Sequence, residues 1–139
     1  VSTETESLEE KRSRLRAEAK KREEAQKAKA LENEVALLEL IDKYEREIGP
    51  RGQSWDVVDA TRWGEGFFVV RLGAGINFQT YADSKMGPAD KHDFICPCLV
   101  HPDVETYRAA RARRPAIDFE ISNVLAVLYG VKLKDDEGK

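Results

Sequence analysis

The sequence predicts a mostly helical α+β fold: a long N-terminal helix, one β-hairpin, then a bundle of three to four short helices. Three observations carry that expectation. No glycine or proline precedes Gly49-Pro50, so nothing before that point must interrupt a helix. From Trp55 to Leu72 the chain reads WDVVDATRWGEGFFVVRL, two β-rich runs about a Gly64-Glu65-Gly66 turn. Beyond them Pro88, Pro102 and Pro115 stand where helices can begin, and Gly130 stands where the last can end.

The first element divides by composition. Residues 1 to 34 hold nine Lys or Arg and nine Glu, mixed rather than blocked by sign, with Leu8, Leu15 and Leu31 as the large apolar residues. Ala, Glu, Lys and Arg favour helix, so a solvated or fraying helix is expected there. From Leu31 the spacing changes: Leu31, Val35, Leu38, Ile41, Tyr44 and Ile48 recur at three and four residues, with Leu37 and Leu40 beside them. Such a stripe is expected to bury a face. An unbroken helix from Thr5 to Ile48 spans roughly 65 Å, so its N-terminal half is expected to project from the body. The expected organisation is a charged helical arm over 1–30, an α+β domain over 31–133 with its hairpin at 55–72, and a flexible tail over 134–139.

In the second strand Phe67, Val69 and Arg71 alternate with Phe68, Val70 and Leu72. Apolar groups therefore face both sides, and both faces need a cover. Ile76, Phe78 and Tyr81 suggest a short helix after Gly73-Ala74-Gly75. Pro88 opens a helix through Lys91, Phe94 and Ile95 that Pro97 ends or kinks. The next carries Val104, Tyr107 and a run of arginines and stops at Pro115. In the last, Ile117, Ile121, Val124, Leu125 and Leu128 keep helical spacing up to Gly130.

Composition bounds the function. At 139 residues and 41% hydrophobic content the chain suits one modest core with an appendage. A net charge of -3 gives no overall field favouring nucleic acid or an anionic membrane. The apolar runs fall short of a membrane span and residues 1–30 lack a signal peptide's apolar stretch, so a cytoplasmic location is expected. Cys96 and Cys98, one proline apart, are poorly placed to bridge each other.

His92, Cys96, Cys98 and His101 contain the ligand types zinc prefers, but they crowd one segment, whereas structural zinc joins separated ligand pairs. Buried thiols with a helix-capping histidine is the commoner arrangement, and no metal or other cofactor is expected. Arg108, Arg111, Arg113 and Arg114 can track phosphates, yet no stacking platform accompanies them. A solvated face is the expectation, without nucleic acid. Gly73-Ala74-Gly75 lacks a dinucleotide fingerprint and reads as a turn. With no nucleophile beside a base, the chain is not expected to be an enzyme. The surfaces expected to meet a partner are the helix stripe at Leu31, Val35, Leu38 and Ile41 and the hairpin side chains Trp55, Trp63, Phe67 and Val69.

The order LIDKYEREIGPRG, GFFVVRL, a segment with Tyr81, then CLVHPDVETYRAARARRPAIDFEISNVLAVLYG resembles the small tail assembly chaperones of long-tailed bacteriophages. The likeness runs over roughly Val35 to Val131 and rests on Leu99, Val100, Pro102, Asp103, Pro115 and Gly130. It departs from the family at Leu72-Gly73, where a proline is common, at Pro97, and in the length of the charged arm. The resemblance implies a non-enzymatic protein of the bacterial host cytoplasm that binds the tape measure protein while the tail tube protein polymerises around it. Self-association through the N-terminal helix is a further expectation; a structural tether within a virion or another assembly is the alternative role, and a small zinc or thiol protein built on His92 to His101 is the less favoured third.

Overall fold

A computed structural model describes residues 6–132; the expected tail at 134–139 lies outside them. The chain divides into two compact units, Val1–Glu39 and Leu40–Lys139. The expected boundary was at 30/31.

Helix α1 runs unbroken over Leu8–Glu47 and crosses that division. Its start is set by Ser7, whose Oγ accepts the Glu10 amide at 3.1 Å. Arg14 sits between Glu6 at 3.0 Å and Glu18 at 3.3 Å. In the first unit the helix is solvated as expected, since propensity and local ion pairs suffice to hold it. The stripe from Leu31 does not bury a face along its length: Tyr44 is the buried residue of α1. The helix ends at Glu47, and Gly49 just beyond it takes a φ of 138°, which suits a residue without a Cβ.

The second unit is built on a three-stranded antiparallel sheet in the order β1-β2-β3, with β1 at Trp55–Asp59, β2 at Phe67–Arg71 and β3 at Leu99–His101. The expected hairpin is present, with Val57 opposite Val69 and Val58 opposite Phe68. It has gained a third strand from the apolar run after Cys98, which pairs Leu99 with Val70 across an irregularity at Val69/Val70. The connection from β1 to β2 is longer than a tight glycine turn. Thr61–Trp63 form a 3-10 turn, closed by Gly64 at a φ of 78°.

Both faces of β2 are covered, as its double alternation requires; Phe67, Phe68, Val69 and Val70 are all buried. On one face Val58, Phe68 and Val70 join Tyr107, Ile117, Ile121 and Leu125 in the main core. On the other, the register groups Trp55 and Val57 with Phe67 and Val69. Tyr44 lies against Trp55 there, with ring centroids 5.9 Å apart.

Four helices follow: α2 at Gly75–Ala82, α3 at Pro88–Ile95, α4 at Val104–Arg113 and α5 at Ala116–Leu128. Proline begins α3 and precedes α5, as the sequence predicts. Pro97 ends α3 in a 3-10 turn at Cys96–Cys98. The cap of α4 is Asp103, whose carboxylate accepts the Thr106 amide at 2.9 Å, and not His101, which belongs to β3. After α5, Gly130 takes a φ of 100°, and its amide donates to the Val127 carbonyl while Val131 donates to Ala126. These bonds satisfy carbonyls that a helix end leaves open.

Candidate docking surfaces

The expected site residues separate into exposed and buried groups. Leu31, Val35 and Leu38 are 62%, 47% and 57% exposed. Their spacing of four and three places them on one face of α1 within the first unit. Ile41, in the second unit, is half-buried. Trp55, Phe67 and Val69, expected to face a partner, are instead buried by the chain itself. Trp55 also donates its Nε1–H to the Gly49 carbonyl at 2.7 Å. Trp63 is half-buried against the core, and the Arg62 guanidinium lies 4.2 Å from its ring centroid. Of the hairpin aromatics expected at a partner surface, Trp63 alone keeps some exposure, because closing both faces of β2 consumes the others.

His92, Cys96, Cys98 and His101 diverge. Cys96 Sγ lies 3.3 Å from His92 Nε2, while Cys98 is buried beside the Tyr129 hydroxyl at 3.8 Å. His101 sits opposite Val69, and burial followed by the charge of Lys43 lowers its pKa. Among the described residues no three His, Cys, Asp or Glu side chains converge on a metal position. His92 lies on α3, Cys96 and Cys98 in the 3-10 turn and His101 on β3, so closeness in sequence does not become a cluster.

Asp93, His92 and Cys96 do form a chain: Asp93 Oδ1 is 3.1 Å from His92 Nδ1 and His92 Nε2 is 3.3 Å from the thiol. That order resembles a nucleophile, base and orienting carboxylate. Two features weaken it. Arg108 Nε donates to the same His92 Nε2 at 3.1 Å, competing for its lone pair. Burial raises the thiol's pKa despite the opposing charge of Arg108. The Cys98 thiol is raised as well, again by burial. Under native conditions near neutral pH, Cys98 is therefore expected to resist a disulfide reagent and Cys96 to react slowly. Unfolding should expose both, and rapid labelling of both native thiols would contradict the burial described.

The arginines of α4 are engaged within the chain. Arg113 forms a paired contact with Glu65, at 3.0 and 2.7 Å, and holds that carboxyl below its ordinary pKa. Arg108 pairs with Glu105 at 2.7 Å. Arg111 reaches Asp118 Oδ2 at 2.9 Å and the Pro88 carbonyl at 3.0 Å. The other oxygen of the buried Asp118 accepts the Tyr107 hydroxyl at 2.7 Å. Burial first, then this bond, raises the Tyr107 pKa strongly. Much of the guanidinium capacity that could meet phosphates is thus used to tie α4 to α3, α5 and the β1–β2 connection.

Gly73-Ala74-Gly75 joins β2 to α2, so it does connect a strand to a helix. Its first glycine has a packing reason: a Cβ there would lie 3.2 Å from Asn77 Nδ2 and 3.4 Å from Cys98 Sγ. The sheet is antiparallel and α2 has eight residues, unlike the parallel unit of a dinucleotide site.

One surface feature is not signalled by any short motif. A cleft of about 410 Å³ lies where the start of α3 meets the α4–α5 junction, lined by Met86, Lys91, Arg108, Arg111, Pro115 and Phe119 among others. Phe119 had a legible signal: it falls between Ile117 and Ile121, off their stripe, and is 60% exposed. Lys91 had none, being an ordinary polar position in a short helix.

Comparison with protein-family models, curated proteins and solved structures finds no match to this chain.

Proposed function

We propose that this chain is a non-enzymatic assembly chaperone that holds a long helical client, with the tape measure protein of a tailed bacteriophage as that client in the cytoplasm of the bacterial host. The observation that carries the reading is the exposed stripe Leu31, Val35 and Leu38 on a long helix whose remaining surface is rich in charge, with Leu8 and Leu15 as further exposed apolar residues. An apolar stripe on one helix face is the form that docks another amphipathic helix, and the surrounding charge keeps such a complex soluble. The resemblance to tail assembly chaperones supports the same client. Among the described residues no helix is long and apolar enough to cross a membrane. Release of the client needs no nucleotide if the polymerising tail tube protein displaces the chaperone.

The double variant Leu31→Asp, Leu38→Asp tests this reading. Both side chains are exposed, so its folding stability should stay within about 0.5 kcal/mol per site of the parent. Capture of a co-expressed tape measure protein should fall at least about tenfold, the equivalent of some 1.4 kcal/mol. Undiminished capture by the folded variant would remove the stripe from the mechanism. The same stripe also supports a permanent tether within an assembly, the unbroken length of α1 being the feature that favours it. The two roles part on whether the chain stays in the finished particle.

A further inference from the structure

The geometry points to the cleft between α3 and the α4–α5 junction as a second docking site, one that takes a carboxylate carried beside an apolar side chain on a partner's peptide segment. Lys91 is the reason. It is 7% exposed and lines the cleft. There it donates to the Met86 carbonyl and lies 4.5 Å from the Phe119 ring centroid. Among the described residues no carboxylate lies within ion-pair distance of it, whereas the other two cations lining the cleft are paired, Arg108 with Glu105 and Arg111 with Asp118. An ammonium has three donors, and a buried charge lacking a counter-charge carries a desolvation penalty. One further negative group would balance this site.

The walls narrow the chemistry. Phe119 and Met86 are 60% and 44% exposed at the cleft, with Pro88, Ala112 and Pro115 beside them, so the surface offered is largely apolar. Asp118 also lines it, and its charge disfavours a multiply charged phosphate. A single carboxylate next to a leucine or aromatic side chain meets both demands, and an acidic amphipathic peptide supplies that pairing. Met86 adds a second sign that this wall is built in place. Its φ of 56° is an unusual conformation for a residue with a side chain, held by the Ser84 hydroxyl on its amide at 3.0 Å and by Lys91 on its carbonyl.

Titration calorimetry of the full chain with two blocked peptides tests the assignment, one carrying a single glutamate between leucines and the other glutamine in its place. The glutamate peptide should bind at least about tenfold more tightly, because a charge-assisted bond to a buried ammonium is worth more than a neutral one. Lys91→Met should abolish that preference and leave the glutamine peptide's affinity unchanged. Phe119→Ala, at an exposed position, should weaken both peptides by a similar factor and keep the preference. Should Lys91→Met fail to fold, the wild-type ratio and Phe119→Ala still decide. Equal binding of the two peptides, or no binding, overturns the proposal. So does self-association that Lys91→Met abolishes, which would seat a second copy in the cleft. Tighter peptide binding after removal of residues 133–139 would assign the cleft to the chain's own acidic segment and equally overturn it. The Leu31→Asp, Leu38→Asp variant should bind these peptides normally, so failure of the stripe and failure of the cleft are separate results.

Discussion

Trp55→Ala is expected to destabilise the second unit by about 3–5 kcal/mol, the range for removing a fully buried large aromatic side chain. Trp55 has no solvent exposure, packs against Tyr44, and binds the Gly49 carbonyl through its indole N–H. It therefore joins the end of α1, the turn at Gly49 and the first residue of β1, and its loss leaves both a cavity and an unsatisfied carbonyl. Trp55→Phe separates the two terms, since it keeps much of the ring's packing and loses the hydrogen bond, worth about 1 kcal/mol. Urea titration followed by far-ultraviolet circular dichroism measures both. A loss under about 1 kcal/mol for Trp55→Ala would contradict the packing of that face.

Asp118→Ala is expected to cost about 3–5 kcal/mol, because it strands the Arg111 guanidinium and the Tyr107 hydroxyl after both have been partly or wholly withdrawn from water. The Asp118 side chain is 6% exposed and that of Arg111 24%. Tyr107→Phe removes one bond while leaving the ion pair, so its effect should be nearer 1 kcal/mol. The double variant should be less destabilised than the sum of the two, since the second change deletes a group already orphaned by the first. Thermal and urea unfolding of the four proteins closes this cycle, and strict additivity would show that Tyr107 and Asp118 do not act together.

These two sites show unequal legibility. The helices from Pro88 onward could be read because proline, helical apolar spacing and a final glycine act locally, and local rules do not depend on what the element packs against. The double alternation of Phe67 to Val70 correctly demanded two covered faces. Strand β3 stayed hidden since Leu99–His101 is too short to show a period, and only pairing with β2 makes it a strand. The same limit explains Trp55, Phe67 and Val69: hydrophobicity marks residues that leave water without saying whether a partner or the chain's own packing covers them. The arginines of α4 were equally ambiguous until Glu65, Glu105 and Asp118 were placed beside them. Lys91 is the extreme case, for its meaning rests on having no carboxylate within ion-pair distance among the described residues, which is a property of the folded surface.

The exposed stripe on α1 as a client-docking surface is the central claim, and copurification from cells expressing the surrounding genes tests it most directly. The tagged chain is recovered, its partners are identified by mass spectrometry, and finished particles are then assayed for the same chain. The account predicts recovery of a long helical tape measure protein and absence of this chain from the particle. Retention in the particle would make it a structural component, and failure to recover any helical partner would contradict the chaperone reading itself.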